Sequence, residues 1–465
     1  MGSLPLGLPA SATFLALLFL LGCAGVATAD CSVPLKQLSE RPPLLLRPGG
    51  PLNVSGFAAP DADHVVRLSA NGSLLLACPG PGNQLLFANR TSGFRQVNVT
   101  CARDSVVTVR SAEVDLRTVQ CLRHAERTAE KDGKRRCGAG ARGLRMRIGF
   151  RLLTGFLELV AACFDDQLLS PIYSNYTLVH SIAGKRPGGE HAVFRTGGVF
   201  GAVSPRRQYE LQNQTLQALL GAAWQRTAND SLTRGHLASR AGFVFWPQKR
   251  ATFFYVNAAP QWRSINGGAW AGVERAARSL AAARGDLLVV TGVYGVTSLP
   301  DVHGVSIPLF LFDQGVQRKM PVPALYWKVL YDPRTREGAA VVGSNNPWEP
   351  LAAHPELRLC ADVCARLRWL PKPMSPEVYC CEVDALRQRV ADLPPLEVEA
   401  LLESATPPRG RSRRKQKAKA RGGGGGGGNA GAAQKAEEPP SGWLAVLAAD
   451  AAHAPSRTPG RERLG

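Results

Sequence analysis

The feature that most limits what this chain can become is a set of ten cysteines downstream of an uncharged, apolar leader. Met1 to Ala29 contains no Asp, Glu, Lys or Arg, carries the run "TFLALLFLLGCAGV", and ends in Ala27-Thr28-Ala29, a small-x-small cleavage pattern. It reads as a secretory signal that is removed, although the positive n-region of such signals is missing. An uncleaved anchor is disfavoured because the run is short for a membrane span. Cys23 leaves with the leader, and Cys31, Cys78, Cys101, Cys121, Cys137, Cys163, Cys360, Cys364, Cys380 and Cys381 remain. An even count in an oxidising compartment predicts disulfides. Their pairing cannot be read from sequence, and a zinc site of Cys360, Cys364, Cys380 and Cys381 is the competing use of the last four.

Seven Asn-x-Ser/Thr sequons agree with secretion: Asn53, Asn71, Asn89, Asn98, Asn175, Asn213 and Asn229. Each is expected on exposed backbone able to carry a glycan. The net charge is +20, and the residues before Ala405 retain more than half of it. A basic folded region favours a polyanionic partner such as nucleic acid or a heparin-like glycan, although solubility alone also accounts for charge.

The 465 residues are enough for two or three domains. Residues 30–143 hold short apolar runs such as "VVRLSANGSLLLAC" and "VVTVRSAEVDL", divided by Asn-Gly and Pro-Gly turns, and read as a small β-rich, disulfide-bonded domain. The basic stretch "EKDGKRRCGAGARGLRMRIGFR" is expected to be a solvated loop leading into a strand. Residues 144–402 read as one α+β domain. Its strand-like runs are "FLELVAACF", "RATFFYVNAAP", "DLLVVTGVYG", "SIPLFLF" and "ALYWKVLYD". Its clearest helix, "GGAWAGVERAARSLAAARG", ends at Gly285 with Asn266 as its N-cap. Residues 403–465 form a basic, Gly-rich tail with too little apolar surface to fold.

Within the α+β region, "SLTRGHLAS" places Arg234 and His236 two residues apart, on one side of a strand. Asn266, Trp270 and Glu274 follow at i, i+4 and i+8, one face of a helix. The segment between supplies a second strand, so the order is a strand with His, a strand, then a helix with Asn. That order suits a ββα-metal site. A neutral His236 takes a proton from water, which attacks a phosphodiester. An ion bound by the Asn266 amide oxygen stabilises the leaving 3′ oxygen and a non-bridging oxygen. Arg234 adds positive charge, and Glu274 fixes one of the ion's waters or holds Arg234. Trp270 is read as packing.

"TRGHLAS … FYVNAAPQ … INGGAWAGVE" resembles the DNA/RNA non-specific endonuclease family with its "DRGH" motif. The spacing from Asn266 to Glu274 and the Asn-x-x-Pro-Gln segment at Asn257, Pro260 and Gln261 carry the resemblance. So do "VVTGVYG", "VPALYWKVLYD" and "NNP". Thr233 stands where bacterial members have Asp. In this, and in the cysteine-rich N-terminal region with "LLLACPG", the chain resembles secreted arthropod nucleases of the shrimp, crab and insect double-strand RNase type.

The resemblance implies a ββα-metal (His-Me finger) fold with a mixed β-sheet, with His236 as general base and Asn266 as the direct magnesium ligand. Manganese is the alternative ion. Glu274 acts one shell out, and Arg234 and Asn257 line the substrate site. The family's upstream, transition-state arginine is assigned to Arg195, with Arg206 and Arg207 as rivals. The implied activity is hydrolysis of DNA and RNA with little sequence preference, leaving 5′-phosphates. That preference fits binding through phosphates, which carry almost no base information. The substrates are the only partners expected, with no membrane involved. A secreted polyanion-binding protein on the same fold, without catalysis, is the alternative.

Overall fold

Short alternating apolar runs that cannot bury two faces alone must stack against another layer, and that requirement organises this chain. The computed structural model describes residues 30–50, 53–185, 192–226, 230–372 and 375–406. The leader, the tail beyond residue 406 and the side chains of the Asn53 and Asn229 sequons lie outside the described residues.

The N-terminal region is all β, as expected. Its largest sheet runs Ala112–Asp115, Val106–Val109, Gln96–Arg103, Ser73–Ala77, Leu44–Gly50, Asn53–Phe57, with every pairing antiparallel. Ser73–Ala77 is buried on both faces. Leu74 and Leu76 enter the main core with Val99 and Val107. Leu75 and Ala77 pack with Leu44, Leu46 and Ala125 against Phe150 and Ala251 of the following region. That second apolar face joins the two regions. Cys31–Cys101 and Cys78–Cys121 close loops within the N-terminal sheets.

The second region is built on a nine-stranded sheet. Its order is Thr128–Cys137, Gly143–Leu152, Gly155–Asp165, Ser170–Leu178, Leu287–Tyr294, Leu325–Asp332, Glu337–Ser344 and Val378–Cys381, with Ala400–Leu401 added in parallel beside Glu337–Ser344. A separate two-stranded ribbon, Leu232–His236 paired with Ala258–Trp262, lies between the fourth and fifth of these strands in the chain. The architecture is α+β with a mixed sheet, as the sequence implies.

Three expectations need correction here. The basic stretch is no solvated loop: it forms the hairpin Thr128–Cys137/Gly143–Leu152. The boundary placed at 143/144 therefore falls inside a hairpin, and this sheet already starts at Thr128. Part of the hairpin's charge is paired across strands, where Arg145 meets Asp132 and Glu158, and Arg147 meets Glu130. Cross-strand pairing of opposite charges lets basic residues occupy a sheet. The run "RATFFYVNAAP" is also not one strand. A helix, Trp246–Ala251, and a 3-10 turn, Tyr255–Asn257, precede the strand Ala258–Trp262.

The Ala-rich helix spans Ala269–Arg284, and Trp270, Val273, Ala277, Leu280 and Ala281 form its buried stripe. It stops at Gly285, whose φ of +126° an L side chain rarely adopts and whose added Cβ would lie 2.8 Å from the Arg334 guanidinium. Arg284, with a fully buried side chain, ties the helix end to Asp332 at 2.7 Å and to Glu337. Among the described residues no helix is long and apolar enough to cross a membrane.

All ten cysteines among the described residues are paired. Cys137 on one edge strand joins Cys163, while Cys380 and Cys381 near the other edge join Cys364 and Cys360. The zinc alternative is thereby excluded. Asp362, Cys364 and Cys380 do sit close enough together for a metal, but both thiols are spent in a disulfide.

Four sequon asparagines, Asn71, Asn89, Asn98 and Asn213, are exposed. Asn175 is not: at 4% exposure it lies inside the Ser170–Leu178 strand. A glycan attached there before folding would keep that strand from pairing. Mass spectrometry of chain secreted from insect cells is expected to find Asn175 unmodified and glycans confined to the other sequons. Full occupancy of Asn175 in folded protein would contradict the strand's placement.

Candidate active site

The "TRGH" stretch forms the strand Leu232–His236, and its alternation separates two sets of contacts. Arg234 and His236 share one side. The His236 ring packs 5.1 Å from Phe194 and 4.9 Å from Phe253, centroid to centroid. The Arg234 guanidinium lies 5.8 Å from the same Phe194 ring and 4.7 Å from Tyr209, and its Nε donates to the Tyr255 hydroxyl at 3.2 Å. Cation–π contact of this kind holds a guanidinium without neutralising it. Gly235 between them has no room for a side chain: a Cβ would meet Gln261 Oε1 at 2.5 Å and the Tyr326 hydroxyl at 2.8 Å.

Burial, with the Arg240 charge as a lesser cause, pulls the His236 pKa from 6.5 down to about 4. Its Nε2 is buried without a hydrogen-bond partner. The imidazole is therefore neutral near pH 7, the state a general base requires.

Thr233 connects to the candidate metal ligand. Its Oγ1 donates to the Gln261 carbonyl at 2.8 Å and accepts from Asn266 Nδ2 at 3.0 Å. A carboxylate in its place has no proton for that carbonyl. With Nδ2 committed, the Asn266 amide oxygen is the atom left for a cation. Asn266 does not cap the long helix. It sits in a separate turn, Arg263–Gly267, and the N-cap is Gly268, so the sequence's continuous i, i+4, i+8 helical face is broken.

Glu274 accepts from Ser239 Oγ at 2.7 Å, three residues beyond His236. An Arg234–Glu274 ion pair does not form among the described residues. Trp270 is 1% exposed and packs on Tyr326, confirming its reading as packing.

The donor chemistry of Asn266 fits a hard divalent ion that keeps most of its waters: a neutral amide oxygen and no thiolate. Gln261, fully buried, has both amide atoms without a protein partner, a state that ordered water relieves.

Residues 146–366 match the model of the DNA/RNA non-specific endonucleases. That segment is what this chain shares with the family. The protein is accordingly a nuclease, a phosphodiester hydrolase. The chain is also 28% identical over 379 residues to a salivary endonuclease of Lutzomyia longipalpis, an alignment covering 79% of this chain and 84% of that one. A chain from the crystal structure of the EndoG/EndoGI complex aligns at 18% identity, over 40% of this chain and 71% of its own, with a TM-score of 0.29.

Two residues expected in this endonuclease site are placed otherwise. Asn257 is fully buried. Its Nδ2 donates to the Ala238 and Thr252 carbonyls at 3.1 and 3.0 Å, and its Oδ1 accepts from Ala238 N–H at 2.9 Å. An amide so engaged has little left for substrate, so Asn257 acts by fixing the chain just past His236. Arg195 directs its guanidinium to the Arg127 carbonyl at 3.4 Å and to Glu126 at 3.6 Å, while the preceding Phe194 faces His236. Its rivals Arg206 and Arg207 are exposed on the helix Pro205–Glu210, with Arg206 paired to Glu210. The sequence reading missed the aromatic box of Phe194, Tyr209, Phe253 and Tyr255. Part of its signal lies in "TFFYVN", which reads as strand, and in "HAVFRTGG", which yields only Arg195.

Two outcomes are expected. Asn257→Ala orphans the buried N–H and carbonyl of Ala238, removes one of two bonds to the Thr252 carbonyl, and lowers unfolding free energy by about 3 kcal/mol in a urea titration. A loss below about 1 kcal/mol together with a raised KM returns Asn257 to substrate contact. For His236, both folded and unfolded states are neutral above pH 6.5; as pH falls the unfolded chain protonates first, so this group's stability contribution is lost between 6.5 and about 4. The acid limb of kcat/KM, which reports the free enzyme, is therefore expected below pH 6.5. A midpoint at or above that value contradicts the desolvated ring.

Proposed function

We propose that this chain is a secreted, metal-dependent endonuclease cutting DNA and RNA with little sequence preference and leaving 5′-phosphates. The observation that carries this reading is a desolvated, neutral His236 sharing a ring with the guanidinium of Arg234, one strand position away from the Thr233–Asn266 link.

His236 takes a proton from water as the water oxygen bonds to phosphorus. The bond from phosphorus to the 3′ oxygen breaks, and that oxygen is protonated from solvent. Arg234, held by faces of aromatic rings, stabilises the charge that builds on the phosphoryl oxygens. Thr233 orients the Asn266 amide, and Glu274 with Ser239 holds the chain beyond His236 against the long helix. Asn266 would hold a magnesium ion, with manganese as substitute, supplying positive charge to the phosphate and the leaving oxygen. Arg195 directs its guanidinium to Glu126 and the Arg127 carbonyl while Phe194 takes the place beside His236, so it is not assigned to the reacting phosphate.

The test is plasmid and RNA digestion with and without EDTA, on wild type and His236→Ala. Wild type is expected to degrade both polymers only with divalent metal. The variant should lose at least about 100-fold in kcat/KM while retaining the wild-type melting temperature. Polymer binding without cleavage by wild type in magnesium would sink the enzyme reading and favour the polyanion binder.

A further inference from the structure

Where the N-terminal region meets the nuclease region, a cleft of about 460 Å³ is lined by the turn Pro79–Pro81 and by Arg123, Glu126, Arg127, Arg195 and Arg250. Four guanidinium groups thus face a single carboxylate. Arg127 is 5% exposed; it donates to the Val193 carbonyl at 2.6 Å, but its Nε is buried without a partner. Burial, followed by repulsion from Arg195 and Arg250, pulls its pKa down to about 10, so it stays charged at neutral pH. Arg195 and Glu126 are 3.6 Å apart and both are about half exposed, a weak pairing. Arg123 is braced by the turn: its guanidinium donates to the Pro81 carbonyl and its backbone N–H to Asn83 at 2.9 Å.

The cleft adjoins the aromatic box. Arg195 directly follows Phe194, and Arg250 lies three residues before Phe253, the two rings that pack on His236. A buried, incompletely paired cation among mutually repelling cations is stabilised by an anion, and planar forks suit phosphate oxygens.

We propose that this cleft is a second phosphate-binding subsite, in which arginines from both regions grip the backbone of the nucleic acid strand running to His236. The proposal rests on the nuclease reading for its ligand. It gives the N-terminal region a share in substrate binding and moves Arg195 from the reacting phosphate to a flanking one.

The full-length chain, with Arg123→Ala, Arg195→Ala and the double variant, tests this. In EDTA, binding of a fluorescent 20-nucleotide strand is followed against salt. The double variant is expected to bind about 10-fold more weakly at 0.1 M salt, with the slope of log K against log salt reduced by about one per arginine removed. In magnesium, its loss of kcat/KM on the long strand should exceed its loss on bis(p-nitrophenyl) phosphate by at least about fivefold, since the small diester cannot span both sites. An unchanged slope overturns the proposal, as does weaker heparin retention with an unchanged slope. Equal losses on both substrates also overturn it, by placing the arginines at the reacting phosphate. A wild type that binds with the expected slope but never cleaves refutes the catalytic reading and leaves the cleft standing.

Discussion

The whole site depends on a two-stranded ribbon that is buried yet excluded from the main sheet. Such a ribbon is marginal alone, and its outer backbone groups cannot be left without partners in the interior. Neutral side chains supply them. Gln212 grips Leu232 at both its N–H and its carbonyl. Asn345 donates to the Pro260 carbonyl and accepts from Trp262 N–H, and the Tyr326 hydroxyl donates to the Ala259 carbonyl. Asn257 satisfies both groups of Ala238. Position is thus set by amides and a phenol, and charge is kept for the chemistry.

That division explains the electrostatics. Had carboxylates braced the ribbon, they would raise the pKa of His236 and compensate Arg234. Instead His236 is bounded by rings and feels the charge of Arg240, which keeps it neutral, while Arg234 is held on π faces. Lys328, packed on Trp270 and bonded to Thr291 Oγ1, shows the same preference: burial holds its pKa near 8, with Glu274 partly opposing.

Local pattern was legible in the sequence wherever one residue type sufficed. The Arg-Gly-His strand, the helix stop at Gly285 and the strands Leu287–Tyr294 and Leu325–Asp332 followed from period and punctuation. What failed depended on distant partners. Asn257 looks like a site residue until its three backbone partners are known, and Asn175 looks like a glycan acceptor until its strand is seen to be internal. The basic run from Glu130 looks solvated because Glu158, which helps neutralise it, comes a hairpin later. Arg195 is assigned beside the reacting phosphate only by the resemblance to an upstream arginine, whereas Phe194 takes the side of its segment that meets His236.

The placement of three disulfides at the rims of the nine-stranded sheet has a consequence for how this molecule fails. A sheet rim is where a foreign strand can add. Here Cys137 clamps one rim to the strand two positions inward, and the neighbours Cys380 and Cys381, on opposite faces, fasten the other rim to the loop before it. A reductant would release both rims together while leaving the amide-braced ribbon untouched. Damage by reduction would thus begin as strand-to-strand self-association at the periphery, with the hydrolytic centre still assembled inside the clumping molecules.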